Sequence, residues 1–209
     1  MSRYVLALDH GTSGIKAAIV SERGAVVDFA FAPTPIYMLA GGGAEQDPDD
    51  WWNAVASTAR QLITRAAVPP EQIDALCVSS TFSTTVAVDR NGNHLGNALT
   101  WMDARGAPYV QRVMRGFPSL LGYNVRKAWT WISKTAGAPS LSGKDDAAHV
   151  LFWKYGRPEV YATARVFLPS KDYLNLRLTG QCAASFDSMH LFWVTDAETF
   201  PVPSRVMAL

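Results

Sequence analysis

Apolar and polar positions change period several times along the chain, and each change marks an element. Tyr4 to Leu8 is a short apolar run that predicts a buried strand. Ile15 to Val20 predicts a second, Glu22-Arg23-Gly24 a hairpin turn, and Ala25 to Ala32 a third strand. Pro33 and Pro35 end regular pairing. After Gly41 to Gly43, the run Asp47-Pro48-Asp49-Asp50 predicts a helix start, since Asp47 can cap, Pro48 suits the first helical position, and the two carboxylates favour the positive end of the dipole. Trp52, Val55, Ala56, Ala59, Leu62, Ile63 and Ala66 then recur at helical spacing to about Ala67, and Pro69-Pro70 stops the helix.

Further on, Ile73 to Ser79 reads as a buried strand and Thr84 to Val88 as another, followed by a turn at Asp89 to Asn93. Ala98 to Trp101 predicts a strand and Ala107 to Met114 a helix. Phe117 to Lys144 is punctuated by Gly, Pro and Ser and shows no clear period. Helices are expected from about Asp145 to Tyr155 and from about Ser170 to Leu178, the latter capped by Gly180. The order β-β-β-α-β, with more strands and helices after it, indicates an α/β fold whose mixed sheet opens with a three-stranded β-meander.

Composition narrows the function classes. Hydrophobic residues are 48% of the 209 and charged residues 18%, the signature of a globular chain. A formal net charge of +1 gives no electrostatic case for nucleic acid or an acidic membrane surface. No apolar stretch is long enough to cross a bilayer, and no signal peptide is visible. Cys77 and Cys182 form no C-x-x-C pair, which suggests a reduced cytoplasmic protein with buried thiols. His10, His94, His149 and His190 show no metal-binding spacing.

The most informative stretch is Leu8-Asp9-His10-Gly11-Thr12-Ser13-Gly14-Ile15-Lys16, between the first two strands. Gly11 and Gly14 let the backbone turn sharply. Exposed N–H groups there, with the hydroxyls of Thr12 and Ser13, can meet phosphate oxygens. Asp9 can hold a hydrated Mg²⁺, and Lys16 offers a point charge for phosphate. A Gly-rich hairpin with a capping Asp is the plainer alternative. The spacing is neither that of a Walker A loop nor that of a Rossmann fingerprint.

Four blocks in order resemble the FGGY carbohydrate kinases, the family of xylulokinase, gluconokinase and glycerol kinase. They are Leu8-Asp9-His10-Gly11-Thr12 with Lys16; Glu45-Gln46-Asp47-Pro48-Asp49-Asp50-Trp51-Trp52; Trp101-Met102-Asp103-Ala104-Arg105; and Leu168-Pro169-Ser170-Lys171-Asp172-Tyr173-Leu174 running into Leu178-Thr179-Gly180. The resemblance implies an actin-like, ribonuclease-H-like fold and ATP-dependent phosphorylation of a sugar or polyol hydroxyl, with Mg²⁺. In such kinases sugar sits mostly on the first of two domains and ATP mostly on the second. Residues 1–209 would be the sugar-binding half, with the ATP-binding domain absent and supplied in cis or in trans. The surface left open would be apolar and would invite association, a homodimer included.

The resemblance also marks departures. A gap-free match puts Ser185 where the family carries its catalytic Asp, and serine is not a competent base unaided. Asp187, two residues on, would share a face with it on an extended stretch and is the expected base. At the sugar-reading strand end, glycerol kinases carry Arg-Glu and xylulokinases Met-His; here the run is Thr81-Phe82-Ser83. Asp103 and Arg105 either bind sugar hydroxyls or pair with each other, and Trp101 either lines the cleft or packs in the core. Trp129 and Trp131 either stack on a sugar ring or, as expected, pack in the core; Glu45 and Asp47 are expected to serve helix capping, and Lys171 and Asp172 to lie on a helix surface, a structural ion pair being the alternative. The alternative to an enzyme half is a non-catalytic actin-like binding or regulatory module.

Overall fold

The computed structural model describes residues 3–65 and 68–195. In chain order the strands and helices are β1 (Tyr4–Gly11), β2 (Gly14–Ser21), β3 (Val26–Pro33), β4 (Tyr37–Leu39), β5 (Gly43–Gln46), α1 (Pro48–Arg65), β6 (Ile73–Ser80), β7 (Thr85–Val88), β8 (Ala98–Leu99), α2 (Ala107–Met114), β9 (Ser119–Leu120), β10 (Tyr123–Asn124), α3 (Val125–Thr135), α4 (Asp146–Gly156), α5 (Pro158–Thr163), β11 (Val166–Pro169), α6 (Ser170–Thr179) and α7 (Phe186–His190). The chain divides into two compact units. The first holds Met1–Ile36 and Gln46–Thr81, the second Tyr37–Glu45 and Phe82–Leu209.

In the first unit the expected meander forms. The sheet runs β3-β2-β1-β6, with β1 antiparallel to β2 and parallel to β6, so it is mixed. Side chains alternate with the strand period. Leu6, Leu8 and His10 of β1, Ile15, Ala17 and Ile19 of β2 and Ala30 of β3 are buried, and α1 packs on these three strands. Helix α1 starts as expected, the Asp47 carboxylate accepting from the Asp49 N–H at 2.9 Å. Its buried stripe is Trp51, Ala54, Val55, Thr58 and Leu62, not the stripe begun at Trp52, and Ile63 is exposed. The phase shifts because Thr58 enters the core by donating its hydroxyl to the Ala54 carbonyl at 2.8 Å, so its polarity hides its place in the pattern. The expected end at Ala67 lies outside the described residues.

The other face of this sheet is open. Phe29 and Phe31 are exposed there, in register with Ala18 and Lys16 of β2. Strand β6, expected to be buried, is largely exposed, because it forms the edge of the sheet and α1 packs on β1–β3. Cys77 on β6 and Cys182 are both free and exposed, which corrects the expectation of buried thiols.

His10 lies fully buried, its ring 4.5 Å from that of Trp51. Neither ring nitrogen has a hydrogen-bond partner among the described residues, and burial pulls its pKa down to about 4, against a smaller opposing effect of Asp9. Between pH 6.5 and 4 the unfolded chain therefore binds a proton that the folded chain does not. The stability from the neutral ring is complete above pH 6.5 and is lost as pH falls through about 4, a contribution of about 3 kcal/mol. Urea midpoints measured from pH 7 to pH 4.5 are expected to fall less steeply for His10→Phe than for the parent. An unchanged slope would contradict this.

The second unit has a sheet in the order β11-β7-β8-β5-β4. Its core gathers Ala87 and Leu99 of the strands with Phe152 and Trp153 of α4, Phe167 of β11, and Met189 and Phe192 at the end of α7. Trp153 stacks on Phe167 with centroids 5.2 Å apart. Helix α4 begins where the sequence predicts, capped by Asp145, which accepts from the Ala148 N–H at 3.0 Å. Helix α6 ends at Gly180, whose φ of 71° is the left-handed cap the glycine implied. Helix α3 emerges from the stretch that showed no clear period, helix α5 from one where no element was expected, and the expected strand 98–101 shortens to Ala98–Leu99. Trp129 is exposed, against the expected packing, whereas Trp131 is half-buried and donates its Nε1–H to the Trp193 carbonyl at 2.9 Å.

Candidate active site

The candidate residues divide between the two units: Asp9, Gly11, Thr12, Ser13, Lys16 and Thr81 in the first, Phe82, Ser83, Trp101, Asp103, Arg105 and Asp187 in the second.

Strands β1 and β2 pair to their ends, Gly11 opposite Gly14, leaving Thr12 and Ser13 as a two-residue turn. Gly14 has φ 153°, and a Cβ there would stand 2.3 Å from the Ala32 carbonyl oxygen. That carbonyl belongs to the β2–β3 ladder and cannot retreat. Gly14→Ala is thus expected to destabilise the first unit by about 1–3 kcal/mol, read as a lowered urea midpoint; a variant as stable as the parent would contradict the close approach. Gln46 fastens the turn from beside it, its Nε2 lying 3.1 Å from the Thr12 carbonyl, 3.2 Å from the Thr34 hydroxyl and 3.2 Å from the Pro35 carbonyl. The Thr34 N–H donates to the Ser13 carbonyl at 3.1 Å. Gln46 lies in the second family block, but nothing in the sequence pointed to its side chain fastening the turn.

Asp9 and Lys16 face each other across β1 and β2, the Lys16 ammonium 3.2 Å from the Asp9 carboxylate. Ser79 of β6 donates to the other Asp9 oxygen at 3.0 Å. Both charged groups are well exposed, side-chain exposure being 63% for Lys16 and 49% for Asp9. A cation and a carboxylate thus sit side by side in open solvent at the base of a backbone turn, an arrangement that can accept a phosphate and a hydrated metal ion.

In the second unit Phe82 and Trp101 present exposed aromatic rings. Ser83, in left-handed conformation at φ 44°, is buried and donates to Asp146 at 3.1 Å. Thr85 donates to the same carboxylate, and its hydroxyl lies 2.8 Å from His149 Nδ1. Burial raises the Asp146 pKa to about 6 and lowers that of His149 to about 4. This buried set was not anticipated, because the second Asp of a helix start reads as a surface residue.

Asp103 and Arg105 pair with each other. The Arg105 Nη2 is 2.6 Å from Asp103 Oδ2 and 2.6 Å from Glu45 Oε1, and Arg157 reaches the same Glu45 oxygen at 3.3 Å. Asp103 also accepts the Ala44 N–H at 3.0 Å. Glu45 is therefore part of a buried ion network rather than a helix-capping residue, while Asp47 does cap. The network holds the loop that carries Trp101.

Asp187 sits in the first turn of α7, so the stretch is helical at Asp187 and the shared face expected of an extended chain does not form. Its carboxylate is exposed and 2.7 Å from the Lys171 ammonium. That hydrogen bond, with a second from the Ser185 hydroxyl, pulls its pKa down to about 2. Asp172, expected on a helix surface, is buried instead, since it turns inward at the start of α6 to hold α7.

The model of the FGGY family of carbohydrate kinases, N-terminal domain, matches residues 4–189. The chain belongs to the FGGY family of carbohydrate kinases. It is similar to the xylulose kinase of Bacillus subtilis (strain 168), 28% identical over 178 residues, which are 85% of this chain and 33% of the relative. It is also similar to the glycerol kinase of Thermococcus onnurineus (strain NA1), 30% identical over 215 residues, 99% of this chain and 42% of that protein. Among solved structures, the gluconate kinase from Lactobacillus acidophilus superposes with a TM-score of 0.83 at 22% identity, covering 100% of this chain and 39% of that one. The ligand-bound xylulose kinase from the same organism gives 0.83 over 99% of this chain. The α/β fold with its mixed sheet is thus that of the FGGY sugar kinases, the actin-like fold. The chain spans between a third and about two-fifths of the length of these FGGY relatives.

Proposed function

We propose that this chain is the sugar-side half of an ATP-dependent carbohydrate kinase, which transfers the terminal phosphoryl group of ATP to a hydroxyl of a sugar or polyol. The observation that carries the reading is the tight Thr12–Ser13 turn with Asp9 and Lys16 paired at its base. The ATP-side half is a polypeptide of the kind the longer relatives carry beyond the matched region, supplied in cis or in trans. Residues 1–209 act as the N-terminal, sugar-binding domain of that assembly.

Phosphoryl transfer asks a protein mainly to position the groups and neutralise charge. The turn's N–H groups and the Thr12 and Ser13 hydroxyls receive the terminal phosphates, and Lys16 leaves Asp9 to meet them. Asp9 would then be the residue to hold Mg²⁺; a half-exposed carboxylate with room for water suits an ion that keeps much of its hydration shell. Bound Mg²⁺ would offset the negative charge of the phosphates. Phe82 and Trp101 offer apolar faces to a sugar ring, and Asp103 and Arg105 keep the Trp101 loop in shape. No helix among the described residues is long and apolar enough to cross a membrane, and two free exposed thiols suit the reducing cytoplasm.

The test is ADP release from MgATP across a panel of pentoses, hexoses and polyols, with the chain assayed alongside its ATP-side half. At least one acceptor is expected to stimulate ADP release well above the no-sugar rate. A folded assembly that binds ATP but releases no ADP with any acceptor would instead support a non-catalytic binding module.

A further inference from the structure

The second unit contains a mainly apolar cavity of about 270 Å³ that the kinase reading does not use. One face of α4 lines it, with Ala147, Val150, Leu151 and Lys154 at helical spacing, together with Val113 of α2 and Phe167 of β11. Helix α4 is thus apolar on two faces. Phe152 and Trp153 fill the core, whereas Ala147, Val150 and Leu151 are only half-buried. A helix face that is apolar and half-exposed lacks a packing partner. Apolar cavities stay dry, and one of about 150 Å³ takes up benzene; a space nearly twice that size has room for a chain of about eight to ten carbons.

Two polar groups accompany this apolar lining, at the C-terminal end of the α4 face. Lys154 is exposed, its ammonium 5.8 Å from the centroid of the Tyr155 ring and 5.6 Å from that of Tyr161. Among the described residues it has no carboxylate partner. Tyr161 lines the cavity as well, and its hydroxyl is buried with no hydrogen-bond partner among the described residues. A buried hydroxyl without an acceptor costs free energy. An unpaired cation beside an unpaired O–H donor calls for one missing group, an anion that accepts hydrogen bonds.

We propose that this cavity binds a medium-chain carboxylate, its hydrocarbon chain among the α2 and α4 side chains and its head group at Lys154 and Tyr161. The site lies wholly within the second unit. It owes nothing to the sugar chemistry, so it stands or falls apart from the kinase reading.

Calorimetric titration of the 209-residue chain at neutral pH and fixed ionic strength, with butanoate, hexanoate, octanoate and decanoate, tests the site. Affinity is expected to rise about fourfold for each added CH₂, with one ligand per chain, and to level off once the hydrocarbon outgrows the cavity. Octanoate should bind more tightly than 1-octanol, and octylamine most weakly. Tyr161→Phe is expected to weaken octanoate about tenfold. Lys154→Met should weaken it about two- to fivefold and leave 1-octanol unaffected. Leu151→Trp fills the cavity and should abolish binding of the whole series; if that variant fails to fold, Tyr161→Phe and Lys154→Met decide the matter. No binding by any member of the series would mean that protein closes the cavity, and would overturn the proposal. Equal affinity for octanoate and octylamine would overturn it too. So would octanoate binding that persists in folded Leu151→Trp, which would place the ligand on another apolar surface, such as the open sheet face of the first unit.

Discussion

Arg105→Ala is expected to destabilise the second unit by about 3–5 kcal/mol. The guanidinium is mostly buried, at 13% side-chain exposure, between Glu45 at 6% and Asp103 at 0%. It bonds both through one nitrogen, adds two further Nε contacts to Asp103, and lies 4.4 Å above the Phe152 ring. Removing it leaves two buried carboxylates repelling each other, with Arg157 and the Asn97 amide left as partners for Glu45. Burial alone would lower the Arg105 pKa, yet the hydrogen bonds it donates to Asp103 and Glu45 hold it above the usual arginine value, so the charge belongs there. Arg105→Lys should recover less than half of the loss, because one ammonium cannot span both carboxylates and stack on Phe152. Urea denaturation of the parent, Arg105→Ala and Arg105→Lys measures this. A loss below about 1 kcal/mol for Arg105→Ala would show the network to be solvent-like.

The second large effect falls on turnover instead of stability. Asp9→Asn keeps the shape of the side chain and a partner for Ser79, but removes the charge that faces Lys16 and would hold Mg²⁺. An ion pair this exposed contributes at most about 1 kcal/mol to folding, so the variant should unfold at nearly the parent's urea concentration. Its kcat for sugar phosphorylation is expected to fall by about 10²–10³-fold, with part of the loss recovered as Mg²⁺ is raised. Asp9→Asn with parental kcat at every Mg²⁺ concentration would remove Asp9 from the phosphate site.

What could be read in the sequence was local. The Thr12–Ser13 turn, the capped start of α1 at Asp47-Pro48 and the Gly180 end of α6 each depend on a few neighbouring residues, and each formed as expected. The family blocks carried the fold for the same reason, four short motifs in a set order. What escaped was set by distant contacts. Trp51 takes the core position because Thr58 follows it inward. Strand β6 is exposed because it lies at a sheet edge, which no run of apolar residues reveals. Glu45, Asp146 and Asp172 are buried acids, and a lone acidic residue in a sequence reads as surface. Their partners, Arg105, Thr85 and Ser188, lie between 16 and 61 residues away. Asp187 was placed on an extended stretch, whereas Met189 and Phe192 draw that stretch into α7.

The most direct examination of the phosphate turn uses a thiol placed in it. Ser13→Cys, with Cys77 and Cys182 changed to serine, is assembled with the ATP-side half and alkylated with and without nucleotide. If the turn grips the terminal phosphate, MgATP should slow modification of position 13 at least about tenfold while MgADP, lacking that phosphate, leaves it nearly unchanged. Equal rates in MgATP and MgADP would mean that the turn between β1 and β2 never touches the γ-phosphate, and the account of this site would fail.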